Sequence, residues 1–419
     1  MSQVPDTIQE KSAIRQTLFI GEYASRNVGD GIIKLAIEKL CAAHGVPATF
    51  RDFYGSVPPS AEPSVSTDRT ASNPGQTAPA SSKPGTPSLP QRLWRALLRV
   101  DLVNYAIALL FYCTRYRRIA NGYQVARHRQ VVIGGGNLLM DNYLNFPLLI
   151  LRIVQQCERR GVPVKLFSVG AGKGYSRLGR RIMARILRSD AVTCVVCRDG
   201  NTYELIKAIA GEAARHKILC GVDTGLYLNR QDNPSEPGDV IGLGVIAPSV
   251  LRAVTPEHPM ADPRYALQWW DDLIAALARE VGAERIELIS NGSGADNEFA
   301  HAVWQALSPK YPGLSVCTSI ESPDDLLRRI GGYRALAAYR MHATVTAMVL
   351  DVPVIGFEWD PKVLQLFTYC GKRDACIALA EFMQRPVRDI IAAMLRQTPA
   401  QLTPVRLALD RDFRHAILA

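Results

Sequence analysis

Three stretches decide the fold: Gln130-Val-Val-Ile-Gly-Gly-Gly-Asn137, Pro163-Val-Lys-Leu-Phe-Ser-Val-Gly-Ala-Gly172 and Ala191-Val-Thr-Cys-Val-Val-Cys-Arg-Asp-Gly200. Each is a short, almost unbroken apolar run that stops at glycine or at charge. A run without polar alternation suits a strand covered on both faces. Between them, residues 146–160 and 177–188 carry apolar residues at helical spacing. Strand, helix, strand, helix in this order predicts a parallel sheet sandwiched by helices.

The same rhythm extends outward. Strands are expected at 17–21 and 218–222, and helices at 30–44 and 201–210. After the polar stretch at 229–239 the alternation restarts, with strands at 240–246, 286–290, 314–317, 335–339 and 354–357. Helices are expected at 267–281, 298–307, 324–330 and 343–350. The reading is therefore α/β, with two Rossmann-like parallel-sheet domains facing each other across a cleft. The first domain covers 1–228, the linker 229–239, the second domain 240–400, and a C-terminal helix 401–419. Ligands of such sheets bind beyond the carboxyl ends of the strands, so the cleft between the two is where chemistry is expected.

One region breaks the rhythm. Residues 57–90 are rich in Pro, Ser, Thr, Ala and Gly and read as a disordered insert. Residues 91–120 mix leucines with Arg92, Arg95, Arg99, Arg115, Arg117 and Arg118, the pattern of a basic amphipathic helix. It reads either as packed on its domain or as lying on an anionic membrane face. The most apolar stretch, 102–114, is short of the ~20 residues that span a bilayer.

In 419 residues there are 49 Lys and Arg against 39 Asp and Glu, a net charge of +10. That suits anionic partners, from phosphorylated small molecules to lipid surfaces, or simply a soluble surface. The nine cysteines are odd in number and irregularly spaced, which suits reduced thiols and a cytoplasmic chain rather than a disulfide scaffold. Cys194 and Cys197 lie in a strand with no second pair or nearby His, so no metal site is expected. No zinc finger, RNA-recognition signature or basic zipper appears, so no nucleic-acid partner is expected.

Candidate site residues cluster after strands. In the first half they are Asn27, Gly29 and Asp30 ahead of a helix, then Gly134, Gly135, Gly136 and Asn137, then Lys173, then Arg198. Glycines leave backbone amides open to a ligand, helix starts attract anions, and Arg grips carboxylate or phosphate with a planar fork. Asp223 reads as a cap or turn. In the second half, Tyr339-Arg340-Met341-His342 ends a strand. If that segment is extended, Arg340 and His342 face the same way, and His suits proton transfer at neutral pH. Glu358, Asp360 and Lys362 follow the next strand, with Pro361 at a first helical position.

Asn27-Val-Gly-Asp30, Val-Ile-Gly-Gly-Gly-Asn137, Ser-Val-Gly-Ala-Gly172, Cys-Arg-Asp199, Asp223 and Arg340-Met-His342, then Pro353 and Lys362, occur in that order. The ordered set resembles the polysaccharide pyruvyl transferase family. The resemblance runs from about residue 18 to residue 362, interrupted by the insert at 57–120. It implies a two-domain GT-B-like fold and transfer of pyruvate from phosphoenolpyruvate to sugar hydroxyls of a bacterial surface glycan, usually as a ketal. No metal or nucleotide cofactor is implied; phosphoenolpyruvate is the donor substrate. His342, Arg340 and Glu358 are then the catalytic candidates, and Arg198, Lys362 and the glycine-loop residues the binding ones. Lipid-linked acceptors in the family leave room for peripheral contact with the inner membrane. Two other readings stay open: a glycosyltransferase of the same architecture using a nucleotide sugar, and a glycan- or phosphate-binding protein without catalysis.

Overall fold

The computed structural model describes residues 16–23, 28–55, 101–172, 174–233 and 235–419, with the backbone alone at 101–104. The insert at 57–90, residues 91–100 of the expected basic helix, Asn27 and Lys173 lie outside the described residues.

The first half is a six-stranded sheet of β1 (Thr17–Gly21), β2 (Ala48–Asp52), β3 (Gln130–Gly134), β4 (Val164–Val169), β5 (Val192–Cys197) and β6 (Ile218–Cys220). Its spatial order is β2-β1-β3-β4-β5-β6, and every pairing is parallel. The second half has β7 (Ile241–Gly244), β8 (Ile286–Ile289), β9 (Ser315–Cys317), β10 (Ala335–Ala338), β11 (Val354–Phe357) and β12 (Cys376–Ile377). Its order is β12-β11-β10-β7-β8-β9, again all parallel. Strand order reverses between β1 and β3 in one sheet and between β7 and β10 in the other. Those two switch points are where such sheets open a crevice at their carboxyl ends.

The expected two parallel-sheet architecture is thus present. Two strands had no counterpart in the sequence reading. The β2 run Ala48-Thr-Phe-Arg-Asp52 is only half-buried at the sheet edge and lacks a run of apolar residues, and β12 is two residues long. The helices on the first sheet are α1 (Val28–Ala43), α2 (Asp101–Cys113), α3 (Arg115–Gly122), α4 (Asn145–Arg160), α5 (Arg177–Arg188) and α6 (Gly200–Ala210). The described part of the expected 91–120 helix is two helices rather than one. They part at Thr114, whose hydroxyl turns back to the Leu110 carbonyl (2.9 Å).

On the second sheet lie α7 (Pro263–Val281), α8 (Gly294–Leu307), α9 (Pro323–Gly331), α10 (Met341–Val349), α11 (Pro361–Tyr369) and α12 (Val387–Leu395). Helix α13 (Thr403–Phe413) and the turn after it cross back to the first sheet. There Phe413 meets Phe167 edge-on at 5.7 Å, and Gln130 Nε2 donates to the Ile417 carbonyl at 3.0 Å.

Helix α1 is the wedge between the halves. Ile33, Ile37 and Leu40 join Phe19 and Val132 against the first sheet, while Val28, Ile32 and Ala36 join the core of the second. Ile32 is fully buried, a contribution of roughly 1.5–3 kcal/mol. Glycines let the wedge seat. A Cβ on Gly29 has no room beside the His342 ring, and one on Gly31 none beside Pro323. The linker is pinned as well: Arg230 donates to the Leu350 and Ser235 carbonyls, both at 2.7 Å.

Candidate active site

Both switch points deliver polar groups to the same gap. On the first sheet, β3 ends in Gly134-Gly135-Gly136-Asn137, with Gly135 and Gly136 at φ +80°. That conformation is open to glycine and strained for other residues. The Gly170 amide donates to the Gly136 carbonyl (2.8 Å), and the Leu139 amide returns to the Gly170 carbonyl (3.0 Å). The two glycine loops therefore brace one another. Gly170 also clears space that the Arg198 guanidinium and the Asn137 amide occupy.

Arg198 sits one residue past β5 and is 6% exposed. One terminal nitrogen donates to Asn137 Oδ1 at 2.6 Å and the other to Asp223 Oδ2 at 3.3 Å. Its Nε lies 3.8 Å from Asp199 Oδ2 and has no hydrogen-bond partner among the described residues. Asp199 is otherwise engaged, capping α6 by accepting from the Thr202 amide (2.7 Å). A buried guanidinium N–H without a partner costs free energy and marks a place where an acceptor would be gained.

Asp223 links the two halves. Its Oδ1 accepts from the Gly225 amide (2.9 Å), and its Oδ2, beside Arg198, is 3.8 Å from His342 Nε2. That separation is an ion-pair distance, not a hydrogen bond, and His342 Nε2 has no hydrogen-bond partner among the described residues. Burial alone would raise the Asp223 carboxyl. The His342 imidazole, the Arg198 guanidinium and the Gly225 amide instead hold it down at about 2. Asp223 is thus a fixed anion between a cation and an imidazole.

His342, 8% exposed, belongs to the first turn of α10 rather than to an extended segment. The helix begins at Met341, because Arg340 is the last extended residue (φ −75°, ψ 126°). The alternation expected to align Arg340 with His342 therefore does not apply. What aligns them is the strand-to-helix corner. Arg340 turns to Asp296, a fully buried carboxylate at 2.7 Å from Nε, and lays its guanidinium over the Trp359 ring at 5.2 Å. Lys362 Nζ stands over the same ring at 5.0 Å and 3.6 Å from Asp360 Oδ2. Burial lowers the Lys362 ammonium below its ordinary pKa; Asp360 opposes this, and the Arg198 and Arg340 charges add to it.

A cavity of about 440 Å³ opens between the halves. Arg198, Asp199 and Asp223 line it from the first half, and Met341, Lys362 and Tyr369 from the second. Of the sequence candidates, Arg198 and Lys362 line it; His342 and Arg340 are not among the lining residues but stand next to them. His342 lies against Asp223 and Gly29, Arg340 sits on the Trp359 ring that Lys362 shares, and Asn137 is bonded to Arg198. Asp30 lies beside Gly136. Glu358 is placed apart: its carboxylate accepts from the Leu379 amide (2.9 Å), at the start of a short helix beyond β12. Its tie to that backbone amide takes it out of the group around the cavity. Asp360 caps α11 through the Lys362 amide at 3.0 Å.

The sequence reading assigns no role to Asp296 or Trp359, and Asp223 reads there as a cap or turn and a member of the ordered motif set. Asp296 is 44 residues from its partner, a distance that no local pattern bridges. Glu22, at the end of β1, is a further unread group: burial, with Asp30 and Asp52 nearby, pushes its carboxyl up to about 7. Among the described residues no group of three His, Cys, Asp or Glu side chains is arranged to hold a metal ion.

The family model described as Polysaccharide pyruvyl transferase matches residues 27–361. No curated protein matches the chain in sequence. Among solved structures, the chain is similar to the trehalose-6-phosphate synthase OtsA, with TM-score 0.50 and 10% identity over 96% of this chain and 95% of that one. It is also similar to the UDP-GlcNAc 2-epimerase from Methanocaldococcus jannaschii, with TM-score 0.48 and 10% identity over 97% of this chain and 100% of that one. The ADP-heptose lipopolysaccharide heptosyltransferase II from E. coli matches with TM-score 0.37 and 14% identity over 82% and 84%. The likeness at TM-score 0.50 is one of fold alone, and with two six-stranded parallel sheets in series the fold is GT-B-like.

Proposed function

The chain belongs to the polysaccharide pyruvyl transferase family, and from that premise we propose that it moves pyruvate from phosphoenolpyruvate to sugar hydroxyls of a bacterial surface polysaccharide or its lipid-linked precursor. The observation that carries this reading is that Arg198 and Lys362, from the two halves, line one cavity together with Asp223, whose carboxylate faces His342, while Arg340 shares the Trp359 ring with Lys362.

Phosphoenolpyruvate is a small molecule with a carboxylate and a phosphate at opposite ends. Arg198 offers an unpartnered Nε, and Lys362, crowded by two guanidiniums, gains most from a nearby anion. These two, with Arg340, bind the anionic ends. His342 gives a proton to the methylene carbon, which leaves positive character on the neighbouring carbon. A sugar hydroxyl attacks that carbon and its proton leaves with the phosphate as the C–O bond to phosphate breaks. A second hydroxyl then attacks the same carbon and closes the ketal, its proton returning to His342. Asp223 holds both Arg198 and His342 and is a positioning residue. Proton transfer of this kind supplies on the order of 10²–10⁴ in rate.

The test is release of inorganic phosphate from phosphoenolpyruvate in the presence of a panel of lipid-linked and nitrophenyl sugars, with mass spectrometry of the sugar. The expected product is heavier by C₃H₂O₂. Turnover of a nucleotide sugar with no response to phosphoenolpyruvate would establish the glycosyltransferase reading instead. Tight binding without phosphate release would leave a binding protein.

A further inference from the structure

The positive surplus of the chain is not spread over its surface. Helices α3, α4 and α5 together hold eleven arginines and one acidic residue, Glu158. Their net +10 equals the net charge of all 419 residues, so the rest of the chain is balanced. Ten of the eleven are exposed: Arg115, Arg117 and Arg118 on α3, Arg159 and Arg160 on α4, and Arg177, Arg180, Arg181, Arg185 and Arg188 on α5. The one acidic residue engages a single arginine, Arg185, at 3.7 Å.

These helices form one surface. Helix α4 packs on α3 and α5, and α2 packs on α3 and α4, all on the face of the first sheet opposite the α1 wedge. The surface is also studded with apolar side chains. Leu109 and Leu110 on α2 are 47% and 61% exposed, and Leu178 on α5 is 43% exposed. After Asp101, α2 carries no charge at all. Helix α5 begins at the carboxyl end of β4, so Leu178 stands on the edge of the sheet that borders the cleft.

We propose that the α2–α5 face docks on an anionic phospholipid surface, arginines on the headgroups and Leu109, Leu110 and Leu178 in the interface. Charge alone fits any polyanion. Protruding leucines among arginines fit a bilayer, where apolar side chains gain by entering the acyl boundary, as on interfacial helices. None of the residues named on this face lines the cavity, and the docking holds whichever donor the cleft takes.

The experiment is co-sedimentation of the full chain with phosphatidylcholine vesicles, with and without phosphatidylglycerol, at low and high salt. Binding is expected on the anionic vesicles only, weakened by salt. R177Q/R180Q/R181Q/R185Q is expected to weaken it by about tenfold or more, and L109Q/L110Q is expected to weaken it with all the arginines in place. Both variants should melt like the parent, since every altered side chain is at the surface. Equal binding to neutral vesicles, no binding to anionic ones, or unchanged binding by either variant would overturn the proposal. So would displacement from vesicles by a DNA duplex at equimolar charge, which would mark a general polyanion surface.

Discussion

At the scale of single residues, the cavity is organised by Asp223. Replacing His342 with Ala should cost turnover on the order of 10²–10⁴ while leaving the circular dichroism spectrum unchanged; near-normal phosphate release would remove its role. Asp223→Asn keeps the shape but withdraws the charge that faces Arg198 and His342. Turnover should fall by roughly tenfold or more and the pH–rate profile should shift, which a merely structural change would not do. The same substitution reads out in stability. The Asp223 carboxyl is held at about 2 in the fold, against 3.8 ordinarily. Its contribution, about 2 kcal/mol, is present above pH ~4 and disappears as pH falls toward 2. Urea midpoints of Asp223→Asn should lack that acid limb. Glu22 has the opposite sign. Raised from 4.5 to about 7, it favours the fold in its neutral form, and that advantage fades as pH climbs through 7. Glu22→Gln should match the parent at pH ~4 and be more stable by about 2–3 kcal/mol at pH ~8. None of these couplings is written locally: Asp223 is 25 residues from Arg198 and further still from His342. The sequence showed the residue types at strand ends but not which would face which.

Elements were far more legible. Strands β1 and β11 and helix α5 have the bounds expected from their apolar runs, because a fully buried parallel strand and a strongly amphipathic helix each leave a clear periodicity. Half-buried β2 and two-residue β12 leave none. The start of α10 was misjudged by two residues, enough to change how His342 is presented, since helix boundaries depend on backbone geometry that side-chain patterns fix loosely. Close approach between elements was legible only as glycine. Gly29 in the first turn of α1 lies against the His342 ring. Gly29→Ala must push the wedge or the imidazole aside, at roughly 1–3 kcal/mol. Melting should fall accordingly, and turnover should fall by more than the loss of folded protein explains. Equal losses in both would mean that the contact is packing alone.

On the scale of the whole molecule, the two-sheet plan followed from the alternation of strands and helices, whereas the return of α13 to the first sheet did not. A C-terminal helix carries no label saying which body it will cover. Deleting residues 403–419 should uncover Phe167 and strip Gln130 of its Ile417 acceptor. The melting temperature should drop and the first half should become sensitive to limited proteolysis; a truncated chain melting like the parent would contradict the docking described above. Because α13 returns, the polypeptide passes between the halves twice, once before β7 and once at the start of α13, whose Arg406 is anchored on the Leu228 carbonyl at 2.8 Å. Two crossings tether the halves at two separate points, so parting them would mean breaking both the Arg230 anchor on Leu350 and the Arg406 seat on Leu228.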